Sequence, residues 1–192
     1  MRTAAGLTAM ALVLGVAARN QAAPPADAAS GLAAFETVRK VFQHPRCQNC
    51  HIPGDAPLQF DDGRTHGQNV KRGARGQGPA GLPCVTCHQS RNPPASYGAN
   101  MPPGAPNWHL PPARTPMVFI ALTPGQLCAT IKDPARTGGK DLPAMLDHVA
   151  NDPLVGWGWD PGAGRGPVPV PRAELTAAFR TWMDAGAPCP TR

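Results

Sequence analysis

Aromatic side chains are scarce in this 192-residue chain, which has five Phe, four Trp and one Tyr. A core assembled from side chains alone would be thin. No apolar run reaches the about 20 residues that a membrane-spanning helix needs. No stretch alternates apolar and polar residues long enough to read as a strand, so the fold class expected is mainly α with long loops. Basic residues outnumber acidic ones, 18 to 12, for a net charge of +6, yet they lack the clustering of a nucleic-acid footprint. Apart from one five-residue pattern that occurs twice, there is no internal repeat. Proline (25) and glycine (21) are abundant instead, close to the level that marks disorder when no period accompanies it.

The first residues have the form of an export signal. Arg2 precedes a short uncharged apolar run, Leu7 to Val16, and Val16-Ala17-Ala18 offers small residues for cleavage. Residues 1–18 are read as a signal peptide, 19–30, with Pro24-Pro25, as a flexible leader, and 31–192 as a single domain. An uncleaved anchor is the other reading of the first segment. Export would place a mature chain of about 170 residues in the periplasm.

The recurring pattern is Cys47-Gln48-Asn49-Cys50-His51 and Cys84-Val85-Thr86-Cys87-His88. Each has the C-x-x-C-H form at which a c-type haem is attached. Two thiols are spaced to add across the vinyl groups of one porphyrin, and the next histidine supplies the proximal nitrogen to iron. Cys47, Cys50, Cys84 and Cys87 are therefore read as thioether positions of two covalent haems, and His51 and His88 as proximal ligands. A zinc site of two C-x-x-C pairs or a redox-active dithiol would use the same cysteines, but neither needs a histidine after both pairs. Two porphyrins would also supply apolar surface for the Pro/Gly-rich loops to wrap, with little folded structure expected in their absence. Cys128 and Cys189 are left over. In an oxidising compartment they most simply pair, closing a loop whose chain entropy is worth roughly 4 kcal/mol; two buried free thiols are the alternative.

Along the chain, Leu32, Phe35, Val38 and Phe42 fall at helical spacing from Gly31 to Gln43, with Ser30 as N-cap and Pro45 as the stop. Residues 52–83 are Gly-rich and 89–116 Pro-rich connections. Thr123-Pro124 opens a helix to Lys132, and another covers Pro143 to Ala150, with Leu142, Met145, Leu146 and Val149 turned inward. Residues 151–171, containing Trp157-Gly158-Trp159, are expected to be irregular. A last helix runs from about Arg172 to Ala185 on a stripe of Leu175, Phe179, Trp182 and Met183, with Gly186 at C′.

The second face of each iron decides between a low-spin carrier and an open, reactive site. His66, in a Gly-flanked polar loop between the motifs, and His148, three residues after Met145 on a short helix, are the expected distal ligands. His109, in a proline cage behind Trp108, and Met101, in Asn-Met-Pro-Pro, are the alternatives, and one bis-His with one His/Met iron is the runner-up arrangement. His44 lies too near Cys47 to cross its own haem, and Met117, Met145 and Met183 read as core. Lys71, Arg72 and Arg75, with Arg64 nearby, are expected to pair with haem propionates, a solvated basic loop being the other reading. Four propionates would bring the net charge to about +1 once Arg2 has left with the signal.

Several segments taken together resemble a known group. They are Arg-Cys-Gln-Asn-Cys-His at 46–51, Thr-His-Gly-Gln-Asn-Val-Lys-Arg-Gly at 65–73 and Pro-Pro-Gly-Ala-Pro-Asn-Trp-His-Leu-Pro-Pro at 102–112. Lys-Asp-Pro-Ala-Arg at 132–136, Gly-Trp-Gly-Trp-Asp-Pro-Gly at 156–162 and Asp-Ala-Gly-Ala-Pro-Cys-Pro at 184–190 complete the set. Over roughly residues 45–190 the chain resembles the small exported dihaem proteins named as an isoquinoline 1-oxidoreductase subunit. The resemblance implies a c-type cytochrome that accepts electrons from a molybdenum hydroxylase oxidising N-heterocycles or aldehydes. A non-enzymatic electron carrier is thus the leading reading, and a dihaem peroxidase-like enzyme the competing one; no carboxylate is clearly placed for a distal acid/base role. No segment stands out as the effector domain a haem sensor would need. Trp157 and Trp159 are candidate docking anchors or haem-packing rings.

Overall fold

The structure, a computed structural model, describes residues 26–191. The expected signal peptide and residues 19–25 of the expected leader lie outside them. The first helix, α1 (Ala26–Phe42), begins five residues earlier than its apolar stripe indicates. Ala26, Ala28 and Ala29 are strong helix formers and Asp27 favours the positive N-terminal end, so residues 26–30 are helix rather than leader. Ser30 lies inside α1 instead of capping it.

Pro45 opens a one-turn helix, α2 (Pro45–Gln48), whose N-cap is His44: the Arg46 N–H donates to His44 Nδ1 at 3.2 Å. A two-residue antiparallel pair follows, β1 (Leu58–Gln59) with β2 (Arg64–Thr65), Leu58 opposite Thr65. Helix α3 (Pro124–Lys132) has Pro124 at its start and a reciprocal capping box between Thr123 and Gln126. Asp141 caps α4 (Leu142–Asn151).

The stretch expected to be irregular holds α5 (Pro153–Gly156) and a 3₁₀ turn at Trp157–Trp159. Asp152 and Pro153 start α5 as a cap and an N1 proline do; one turn is too short to show a period. The last helix, α6 (Arg172–Asp184), ends with Gly186 at φ 81°, the left-handed C′ position that glycine fills without penalty.

The described residues are mainly helical, as expected, and α1 packs along α6. Phe35 meets Trp182 at 5.2 Å between ring centres, and Phe179 stands nearly perpendicular to Trp182 at 5.2 Å. Val38, Val41, Leu127, Ile131, Met145, Val149 and Leu175 complete one continuous core. It is fuller than the few aromatics suggest, because aliphatic side chains carry most of it. At Gly31 an added Cβ would lie 2.7 Å from Ala185 Cβ and 2.8 Å from Pro188 Cγ, so α1 needs glycine there to approach the chain leaving α6. Cys128 and Cys189 form a disulfide with Cα atoms 5.5 Å apart. Lys132 Nζ donates to the Ala187 carbonyl and Trp182 Nε1 to that of Pro188, at 2.7 and 2.9 Å, fastening the chain after α6 to α3 and α6. Among the described residues no helix is long and apolar enough to cross a membrane.

Candidate functional site

Both C-x-x-C-H motifs fold alike. The Cys50 and His51 N–H groups donate to the Cys47 carbonyl at 3.2 and 3.1 Å, and those of Cys87 and His88 donate to the Cys84 carbonyl at 3.2 and 3.0 Å. The result is one helical turn that puts the first cysteine and the histidine, four residues apart, on one face. Pro45 in α2 and Pro83 before the 3₁₀ turn Cys84–Thr86 preset these turns.

The two motif histidines are also held alike. Nδ1 lies 2.8 Å from the Met117 carbonyl in His51 and 2.7 Å from the Pro103 carbonyl in His88. A carbonyl only accepts, so Nδ1 carries the proton and Nε2 the lone pair, the form in which imidazole binds a metal. Burial pulls His51 down to about 4 and also lowers His88, the carbonyl bonds opposing it in part. Both rings are clamped flat: His51 on Phe119 at 3.9 Å and 14°, His88 on Trp108 at 4.3 Å and 3°.

Beside His51 opens a cleft of about 270 Å³. Cys47, Cys50 and His51 line it together with apolar Val41, Phe42, Met145, Val149, Leu154 and Leu175. The Cys47 and Cys50 side chains face the cleft and are half-buried, yet their enclosure raises the thiols to about 12 and about 11. His148 lines the same cleft and lies near enough for its charge to lower the pKa of His51. Its own pKa is lowered by burial, and Nδ1 sits 3.2 Å from Asp152 Oδ2. His109 is there as well, with Nδ1 2.6 Å from the Asn107 carbonyl.

At the second motif His66 approaches His88 with 6.1 Å between ring centres and 66° between planes. His66 Nδ1 lies 3.0 Å from the Gly67 carbonyl. Met101 is exposed and shares a shallow groove with Cys87 and Tyr97. Cys84 is buried and Cys87 exposed, so this site lies nearer the surface than the first. Trp108 belongs to both, stacked on His88 and lining the cleft beside His51.

The basic residues expected to pair with propionates have partners and surroundings of their own. None of Arg64, Lys71, Arg72 and Arg75 lines the cleft. Arg64 is paired with Asp62, Arg75 is exposed and Lys71 half-buried. Arg72 is buried and donates to the carbonyls of Ile52, Gly54 and Pro111, which makes it a clamp between loops. The cations at the cleft are Arg46, Arg114 and Lys140. Arg46 pairs with Asp61 and keeps a buried Nε with no hydrogen-bond partner. Its position next to Cys47 was a signal available in the sequence; Arg114 and Lys140 offered none.

Trp157 and Trp159 line the cleft, with their indole N–H groups donated inward to Asn92 Oδ1 and the Val170 carbonyl at 3.2 and 2.7 Å. Both are half-buried, with part of each ring turned to the cleft. Among the described residues no three His, Cys, Asp or Glu side chains are grouped to hold a metal ion, so the two C-x-x-C pairs do not converge on a zinc site. The chain matches no family model, no curated protein and no solved structure.

Proposed function

We propose that the protein is an exported dihaem c-type cytochrome that passes electrons and turns over no substrate itself. The observation that carries this reading is the matched pair of C-x-x-C-H turns, each presenting a neutral, carbonyl-anchored imidazole with Nε2 free. The residues fit a porphyrin. The first cysteine and the histidine share one face of each turn, the first motif lines an apolar cleft, and Arg46 brings a buried unpartnered donor to that cleft. A haem iron supplies reversible one-electron transfer.

The chain's own residues bind and insulate. Cys47 and Cys50 would anchor one haem in the cleft, with His51 and His148 to bind its iron, and Arg46, Arg114 and Lys140 would take its carboxylates. Cys84 and Cys87 would anchor the other, with His88 and His66 to bind its iron. Two histidines at each iron would leave no open position for substrate, as a carrier requires and a peroxidase does not. As partner we propose a molybdenum hydroxylase, on the resemblance of residues 45–190, and as compartment the periplasm, on residues 1–18.

A pyridine haemochrome assay with intact mass on the purified mature chain tests the reading and should find two thioether-bound haems. A chain carrying zinc and no porphyrin overturns it. In stopped flow, a reduced molybdenum hydroxylase encoded beside it should reduce both haems; failure of that transfer, with rapid peroxide-dependent oxidation of the reduced protein, transfers the assignment to the enzyme class.

A further inference from the structure

The four histidines proposed to bind iron are not anchored alike. His51, His66 and His88 each set Nδ1 against a backbone carbonyl, whereas His148 sets it against a carboxylate, Asp152 Oδ2, at 3.2 Å. We propose that Asp152 is a positioning residue that lowers the reduction potential of the haem held at Cys47 and Cys50, acting through His148 and leaving the other haem untouched. The proposal rests on the haem reading above.

Asp152 cannot swing away from His148. Its Oδ1 accepts from the Leu154 and Val155 N–H groups at 2.8 and 3.4 Å, capping α5. Its own N–H donates to the His148 carbonyl at 3.1 Å, and its carbonyl accepts from Arg172 Nη2 at 2.7 Å. Arg172 Nε in turn holds the Val149 carbonyl at 2.8 Å. Every bond fixes the junction of α4 and α5 and leaves Oδ2 as the oxygen turned to the imidazole. A carboxylate oxygen 3.2 Å from Nδ1 draws the proton to that nitrogen and leaves the lone pair on Nε2. A carboxylate accepting from Nδ1–H makes the ring a stronger donor than a carbonyl does. The stronger donor favours the ferric over the ferrous iron and so lowers the potential. The same carboxylate serves as helix cap and as ligand anchor, which couples the register of α5 to the electronics of the site.

The test is a potentiometric titration of the full-length holoprotein. Asp152→Asn keeps one oxygen for the N-cap and puts an NH2 group, which cannot accept, where the charged Oδ2 faced Nδ1. It should raise one midpoint potential by about a tenfold change in the one-electron equilibrium, which is 59 mV, with the other midpoint unmoved and both irons low spin. Asp152→Ser, also a good cap, provides the second variant and should give the same rise. Asp147→Asn removes an exposed charge on the same helix and should move neither midpoint. Unmoved potentials in both Asp152 variants, or equal shifts of both haems matched by Asp147→Asn, overturn the role of Asp152 while the two-haem reading stands. A wild-type chain free of porphyrin overturns both.

Discussion

The histidines differ, at the residue scale, in how they reach the two sites. His51 and His88 are placed by the turns that carry their cysteines and clamped by residues 103–119, whereas His66 and His148 arrive from other segments. On the dihaem proposal, removing an arriving histidine would leave its iron five-coordinate, so His148→Ala should turn one haem partly high spin and His66→Ala the other, read from the absorption spectrum of each variant. Unchanged spectra in both would give the ligand roles to His109 and Met101. The motif residues were legible in the sequence because their chemistry is set by spacing within one helical turn. Asp152 was legible in principle, four residues after His148 and just before Pro153, where a cap is expected. The basic residues were not. Arg72 reads as a solvent-facing cation until the loops of residues 52–54 and 111 close over it, and Arg114 and Lys140 reach the cleft only through the tertiary fold.

Helices whose ends carry strong caps could be placed from sequence to within a residue or two. Thr123-Pro124 and the Gly186 terminus are examples, since the side chain that starts or stops the helix is local. The start of α1 was misplaced because an alanine-rich turn extends it past its apolar stripe, and α5 was missed because one turn has no period. Gly31 gives a test in which two effects oppose. Alanine in a helix gains about 0.5–1 kcal/mol over glycine, but here its methyl would meet Ala185 and Pro188 at 2.7 and 2.8 Å, and overpacking costs about 1–3 kcal/mol. Sterics win, so Gly31→Ala should lower the thermal midpoint. Gly54→Ala, where a Cβ would have no neighbour within 4 Å, should change it little. A stabilised Gly31→Ala would mean that α1 can slide away from the end of α6.

For the whole molecule, the disulfide closes a loop of 61 residues, which by chain entropy contributes roughly 4 kcal/mol. Non-reducing peptide mapping should find Cys128 linked to Cys189, and a Cys128→Ser/Cys189→Ser protein should unfold at lower denaturant by about that free energy. Two alkylatable thiols in the native protein would refute the bridge. The cleft wall has a further consequence. It is closed by Val41 and Phe42 from α1 and by Leu175 from α6, segments at opposite ends of the described chain. A polypeptide delivered from its N-terminus presents Cys47 and Cys50 long before Leu175 follows. Throughout that interval the pair has only half a container, and both thiols remain open to whatever machinery modifies them. The late helix then acts as a closing door, and the order of residues in the chain becomes an order of assembly in time.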